Sequence, residues 1–213
     1  MDLSDYRKSY EKSELSDFNL PKDPFKLFKD WFAEAEANHA TDEVNAMTVA
    51  TIGLDGYPKS RVVLLKEFNE NGFIFYTNYN SEKGKAIAAN PNLCLSFFWH
   101  GMERQVIIKG AAEKTDSETS DTYFQSRPQR SKMGAVVSPQ SEVVPSREFL
   151  EERLEELSNH YGDSPVDRPE HWGGYLIQPV EMEFWQGRAN RLHDRIRFKL
   201  QEDKSWSSDR LAP

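Results

Sequence analysis

Apolar residues change their spacing near residue 46, and the change separates stretches of chain built in different ways. Upstream, residues 1–20 are polar and lack a core-forming pattern, which predicts a mobile N-terminal arm ahead of a single domain over residues 21–213. Asp23-Pro24 is an N-cap followed by proline in the first turn, and Phe25, Phe28, Phe32 and Ala35 then recur at helical spacing. From Ala46 the pattern becomes short apolar runs between turn residues: AMTVATI, Asp55-Gly56, SRVVLLK, Asn71-Gly72 and FIFYT. Both dipeptides are strong hairpin signals. Ser81 is expected to open a short helix that ends before Pro91, and LCLSFFW and RQVIIKGAAE then flank a turn near His100-Gly101. Residues 116–136 read as helix interrupted at Pro128. Ser146 caps a further helix, whose expected buried stripe is Leu150, Leu154, Leu157 and Tyr161. The closing strands are GYLIQPVEMEFW and RIRFKLQE. Six or so short antiparallel strands with helices between them predict a mainly β, α+β fold curled into a small closed barrel.

Charge narrows the classes of partner. A net charge of −8 over 213 residues argues against a general nucleic-acid surface. The cations are nevertheless clustered. Residues 185–199 hold Arg188, Arg191, Arg195, Arg197 and Lys199 against Asp194 alone. Residues 123–132 hold Arg127, Arg130 and Lys132, and residues 57–66 hold Lys59, Arg61 and Lys66, with no acid in either. Three positive islands in an acidic chain point to small anionic ligands, phosphates first; ordinary solvated charge is the competing reading of any one island. No stretch approaches the roughly 20 apolar residues that cross a bilayer, and the N-terminus lacks the apolar core of a secretory signal. With the single Cys94, expected as a buried inert thiol, these features predict a cytoplasmic protein.

The standard devices of nucleotide and hydrolytic chemistry are missing. There is no GxGxxG after a strand, no GxxxxGK[ST], no GxSxG and no HExxH, so no metal is expected. Cofactor chemistry stays open. The informative stretch is Glu183–Arg195, EFWQGRANRLHDR. Read as an extended segment, it projects Arg191, His193 and Arg195 from one face, a donor array for an anion, with Trp185 able to pack on a planar ring.

This stretch, with Trp185, Arg191, Leu192, His193, Asp194 and Arg195 in order, resembles the signature of the pyridoxamine 5′-phosphate oxidases. SRVVLLK at residues 60–66, FYTNYNSEKGK at 75–85 and ERQVIIKG at 103–110 resemble the family's flavin-binding segments. YFQSRPQRSKMGAVVSPQS at 123–141 is similar to its substrate-phosphate region, and DRLAP to its C-terminus. The resemblance implies an FMN-binding split barrel that works as a homodimer with sites shared between subunits. It implies oxidation of pyridoxamine 5′-phosphate and pyridoxine 5′-phosphate to pyridoxal 5′-phosphate, with oxygen as acceptor and hydrogen peroxide as by-product. The alternatives are a non-catalytic carrier of FMN or pyridoxal phosphate, and a split-barrel flavin reductase.

Residue by residue, the resemblance assigns FMN to Arg61, Val62, Val63, Leu64, Leu65, Lys66, Tyr76, Thr77, Lys83, Gln105, Gln140, Ser141, Trp185 and Arg195. It assigns the substrate phosphate to Lys66, Tyr123, Arg127 and Ser131, and the pyridine ring to Arg191 and His193, the expected catalytic pair. Arg7 and Tyr10 are expected to close over the bound substrate. One position departs: many relatives read Ser-Arg-Lys where this chain has Ser81-Glu82-Lys83, and Glu82 is expected to point to solvent.

Overall fold

The computed structural model describes residues 1–6, 8–16, 18, 20–162 and 164–213. Helix α1 (Pro24–Ala37) starts where expected, with the Asp23 carboxylate accepting from the Phe25 N–H at 2.9 Å. Its inner face is rotated from the sequence reading. Leu27, Phe28, Trp31 and Ala35 are buried, while Phe25 and Phe32 are only half-buried. Strands β1 (Ala46–Ile52) and β2 (Pro58–Leu64) form the first hairpin, turning through Gly56 at φ 84°. Strands β3 (Glu67–Asn69) and β4 (Gly72–Asn78) form the second. A Cβ at Gly72 would sit 2.1 Å from the Ile177 carbonyl oxygen, so only glycine fits. Ser81 caps α2 (Glu82–Ala89) by accepting from the Gly84 N–H at 3.2 Å.

Strands β5 (Asn92–Trp99) and β6 (Arg104–Lys114) precede α3 (Ser117–Ser126) and α4 (Gln129–Val137), which Pro128 separates. Helix α5 (Arg147–Tyr161) is capped by Ser146, but its stripe is half-buried rather than buried. It lies over the outside of a small satellite core of Phe124, Met133, Val166 and Trp172. Strands β7 (Trp172–Gln186), β8 (Asp194–Leu200) and β9 (Trp206–Arg210) complete the chain. Among the described residues no helix is long and apolar enough to cross a membrane.

Among the described residues the antiparallel sheet has nine strands, more than the six or so expected. The short β3 and the polar, exposed β9 carry too little apolar pattern to be seen. The order β2-β1-β5-β6-β7-β4-β3 is curled but not closed, since no ladder joins β2 to β3 among the described residues. Strand β7 explains the split. Its first half pairs with β4 from Trp172 to Ile177, and its second half pairs with β8 from Glu181 to Gln186. Pro179 sits between the halves, opposite the register shift at Lys109/Gly110. Proline lacks the N–H a continuous ladder needs, so the neighbour changes there.

Alternate positions of β1, β4, β5, β6, β7 and β8 bury Met47, Val49, Phe73, Phe75, Leu95, Phe97, Val106, Ile108, Met182, Phe184, Ile196 and Phe198 against α1. The Phe28 ring lies 5.0 Å from Phe73 and 5.2 Å from Phe97. Each such side chain contributes on the order of 1.5–3 kcal/mol. Cys94 faces the other side of β5 and is half-buried, and burial pushes its thiol pKa up, away from the reactive thiolate.

Glu11, Lys12 and Leu15, upstream of α1, lie against this body. Leu15 is buried, and its N–H donates to Asp194 at 3.1 Å. The N–H groups of Glu11 and Lys12 both donate to the buried Glu103 carboxylate, at 2.9 and 3.1 Å.

Candidate functional site

The site residues expected from sequence fall into three groups of side chains. The first lies between β2, β4 and α2. Arg61 donates from Nη1 to Thr51 Oγ1 at 2.8 Å and to the carbonyls of Lys59 and Val49 at 2.9 and 3.2 Å. Lys83 is buried, and its ammonium donates to Gln140 Oε1 at 3.0 Å and Thr77 Oγ1 at 3.1 Å. Burial, then the nearby Arg61, push the Lys83 pKa down to about 8, against the pull of Glu82. Burial likewise lowers Arg61, again opposed by Glu82. Gln140 and Ser141 are exposed beside a cavity of about 330 Å³, Ser141 at φ 76°. Glu82 is exposed, as expected from sequence, and at the surface it pairs with Lys59 at 2.5 Å.

The second group surrounds a stack of aromatic rings. Tyr76 and Tyr123 lie parallel with centroids 3.9 Å apart, and Trp172 lies parallel to both, 5.6 Å from Tyr76 and 6.1 Å from Tyr123. The Arg127 guanidinium sits 4.7 Å over the Trp172 ring, yet its Nη1 is buried without a hydrogen-bond partner. A guanidinium N–H in that position is a donor that could hold an anion. Burial pushes Tyr76 up to about 12, so its hydroxyl stays protonated and able to donate. Lys66 shares a cavity of about 540 Å³ with Tyr76 and Tyr123. Ser131 is exposed in the first turn of α4.

The third group lies where β7 ends. Arg191, His193 and Arg195 do not share a strand face, because the segment is not extended. A 3₁₀ turn covers Ala189–Arg191, with Asn190 at φ 56° and Arg191 at φ 62°, and β8 begins only at Asp194. The cause is packing against other segments: a Cβ at Gly187 would lie 2.8 Å from the Tyr10 ring, and Arg188 and Arg210 clamp Asp194 at 3.0 and 2.7 Å. The turn leaves Arg191 exposed on a cavity of about 880 Å³ that Tyr10, Arg188 and His193 also line. The His193 ring packs 4.8 Å from Trp185 and 5.7 Å from Tyr10. His193 Nδ1 accepts from the Arg188 N–H at 3.0 Å, which fixes the neutral tautomer and leaves Nε2–H to donate. Arg195 is turned to Glu183 at 2.8 Å and to the Ala212 carbonyl at 2.8 Å, and the Glu183 hydrogen bond raises its pKa. Gln105, Trp185 and Arg195 form one cross-strand row.

Residues 33–161, more than half the chain, match the family described as pyridoxamine 5′-phosphate oxidase. The chain belongs to the pyridoxamine 5′-phosphate oxidase family. Residues 172–213 match the pyridoxine 5′-phosphate oxidase C-terminal dimerisation region. The chain is 66% identical to the pyridoxine/pyridoxamine 5′-phosphate oxidase of Flavobacterium johnsoniae, covering 99% of each. It is 62% identical to that of Flavobacterium psychrophilum, over 100% of this chain and 99% of the relative. Among solved structures, PhzG from Burkholderia lata 383, in complex with tetrahydrophenazine-1-carboxylic acid, superposes with a TM-score of 0.88 at 27% identity, over 96% of this chain and 100% of that one. A pyridoxamine 5′-phosphate oxidase-related, FMN binding protein from Nostoc punctiforme shares the fold with a TM-score of 0.71 at 16% identity, over 91% and 100%.

Within the pyridoxamine 5′-phosphate oxidase family frame, Arg61, Thr77, Lys83 and Gln140 come together, as do Lys66, Tyr76, Tyr123 and Arg127, and Tyr10, Trp185, Arg191 and His193. Val62 is exposed, Val63 and Leu64 are half-buried, and Leu65 is a core residue with only its backbone to offer a ligand. Arg7 lies outside the described residues. Sequence reasoning missed Trp172, Glu183 and Glu103. Trp172 stands before Gly173-Gly174, where any Cβ would collide with Tyr79 or Thr115, a sign of close packing the sequence did display. The two acids gave no such sign, since their partners are distant in the chain.

The stacked group and the Arg191–His193 group are well separated. Tyr76 is registered with Gly174, and Trp185 lies eleven residues further along β7, roughly 35 Å of strand. One small ligand does not span that distance within one chain.

Proposed function

We propose that the protein is an FMN-dependent oxidase. It converts pyridoxamine 5′-phosphate and pyridoxine 5′-phosphate to pyridoxal 5′-phosphate, with oxygen as final acceptor and hydrogen peroxide as by-product. The observation that carries the reading is the presence of two separate cationic centres, the Arg61–Lys83 pair and the Arg127 guanidinium over Trp172, whose buried Nη1 has no protein partner. A flavin mononucleotide and a phosphorylated pyridine each bring one phosphate monoester, and a reductase acting on an unphosphorylated substrate has no use for the second pocket.

FMN fits the first pocket: the pair of partly desolvated cations lacks a full counter-charge, and a phosphate dianion supplies it. Arg61, Thr77, Lys83, Gln140 and Ser141 would hold that phosphate, with Gln105, Trp185 and Arg195 toward the ring. Bound FMN supplies the two-electron acceptor, and the protein supplies orientation and electrostatics. Arg127, Lys66, Tyr123 and Ser131 anchor the substrate phosphate. Arg191 and the Nε2–H of His193 hold the pyridine ring so that the carbon to be oxidised stays in place. Residues 1–20 act as an arm, with Tyr10 closing over Trp185 and His193, and residues 21–213 act as one flavin-binding unit.

The distance along β7 supports a homodimer in which one chain's Arg191–His193 group completes the other chain's phosphate pockets. The single free Cys94 suits the reducing cytoplasm, the compartment inferred. The test is direct. Purified protein supplied with FMN and pyridoxamine 5′-phosphate in air is expected to yield aldehyde and peroxide in equal amounts. Binding of FMN without either product would leave a carrier and overturn the oxidase.

A further inference from the structure

The Arg61–Lys83 pocket carries a counter-ion of its own. Lys59 and Arg61 lie two positions apart on β2, so they rise from the same strand face. The Arg61 Nη1 donates to the Lys59 carbonyl at 2.9 Å. The Lys59 ammonium reaches across to Glu82 at 2.5 Å, and Glu82 immediately precedes the buried Lys83 on α2. The Glu82 charge is felt at both inner cations, where it opposes the effect of burial. Three cations and one carboxylate thus form a single cluster with a net charge of +2.

Stability is a poor reason for the outer pair. Both side chains are about half exposed, 56% for Lys59 and 48% for Glu82, and exposed pairs of this kind add little to stability. Its effect on a neighbouring anion is larger. Unmatched, Glu82 would leave Arg61 and Lys83 a net charge of +1 toward a phosphate monoester that carries about −2. Lys59 removes that deficit.

We propose that Lys59 is a specificity-determining residue for the phosphate end of the flavin: by neutralising Glu82 it keeps the Arg61–Lys83 pocket matched to a dianion, so that the site selects FMN over riboflavin. The proposal rests on the reading of this pocket as the FMN phosphate site. Apoprotein is titrated with FMN and with riboflavin at low salt, following flavin fluorescence, for wild type, Lys59→Met, Lys59→Arg, Glu82→Gln and the Lys59→Met/Glu82→Gln pair. Lys59→Met is expected to weaken FMN about tenfold and leave riboflavin within about twofold, the scale of one partly screened charge. Lys59→Arg keeps wild-type selectivity, and adding Glu82→Gln to Lys59→Met restores FMN binding, because no carboxylate remains to be cancelled.

Lys59→Met with unchanged FMN affinity, with equal losses for both flavins, or without recovery in the double variant would overturn the proposal. A wild type that binds FMN and riboflavin equally would overturn it together with the phosphate assignment alone. A wild type that binds neither would overturn the flavin reading itself.

Discussion

Lys83 holds its charge against its surroundings, and the sign of that conflict is measurable. Its pKa in the folded apoprotein is about 8, against an ordinary 10.5, with burial the main cause. Between those values the unfolded chain binds a proton that the folded chain has shed, so the stability of the apoprotein rises with pH across that window. Binding a phosphate dianion has the opposite demand, because it needs the ammonium. FMN affinity is therefore expected to fall as pH rises through about 8, approaching tenfold per pH unit, and Lys83→Met should flatten the profile while weakening binding throughout. Flavin titrations at pH 7, 8 and 9 check this, and a flat wild-type profile would count against it. Arg191 poses a different conflict, since its backbone sits at φ 62°. Arg191→Gly should relieve about 1 kcal/mol of strain and raise the melting temperature, while Arg191→Ala should not. Both should lower kcat/KM by roughly 10²-fold, about 2.7 kcal/mol, with FMN retained. Loss of flavin in either variant would make Arg191 a structural residue.

At the scale of elements, β7 and the N-terminal arm decide where the groups lie. Pro179 lets one strand serve two neighbours, which spreads the aromatic stack and the Arg191 turn to opposite ends. The arm is tied by a buried carboxylate: Glu103 is 2% exposed, accepts from the Glu11 and Lys12 N–H groups, and pairs with Lys8 at 3.5 Å. Hydrogen bonds to a charged acceptor are worth about 1.5–3 kcal/mol each. Glu103→Gln removes the charge and turns a donor toward two donors. Trypsin is expected to cut after Lys8 and Lys12 at least about tenfold faster in this variant, with KM rising more than kcat falls. Unchanged cleavage would show that Leu15 and Asp194 hold the arm without Glu103.

At the scale of the whole molecule, the roughly 35 Å of β7 between the two halves of the site makes a strong demand on assembly. If each chain supplies one half, an Arg61→Ala protein mixed with an Arg191→Ala protein regains activity after subunit exchange. A two-fold dimer places both substitutions in one site and neither in the other, so about a quarter of wild-type activity is expected from a statistical mixture. No recovery, with exchange verified by mass, would place the complete site within one chain.

Local pattern was enough for the helix caps at Asp23, Ser81 and Ser146, the hairpins at Gly56 and Gly72, and the core strands, because each follows from residues within one or two turns of chain. The ordered motifs also named most of the residues that gather in each group, though not Trp172. Sequence did not reveal how they gather. Period-two reasoning placed Arg191, His193 and Arg195 on one face, but Gly187 packs on Tyr10 and Asp194 is clamped by Arg188 and Arg210, and these contacts turn the segment. Glu82 is solvent-facing as read, but its pairing with Lys59, 23 residues away on another element, left no mark in the local pattern. The barrel read as closed because alternation shows which face of a strand is buried, not which strand lies beside it. Neighbour choice, the turn that bends Arg191 outward and the counter-charge of each cation depend on contacts between distant segments, and only the tertiary structure decides them.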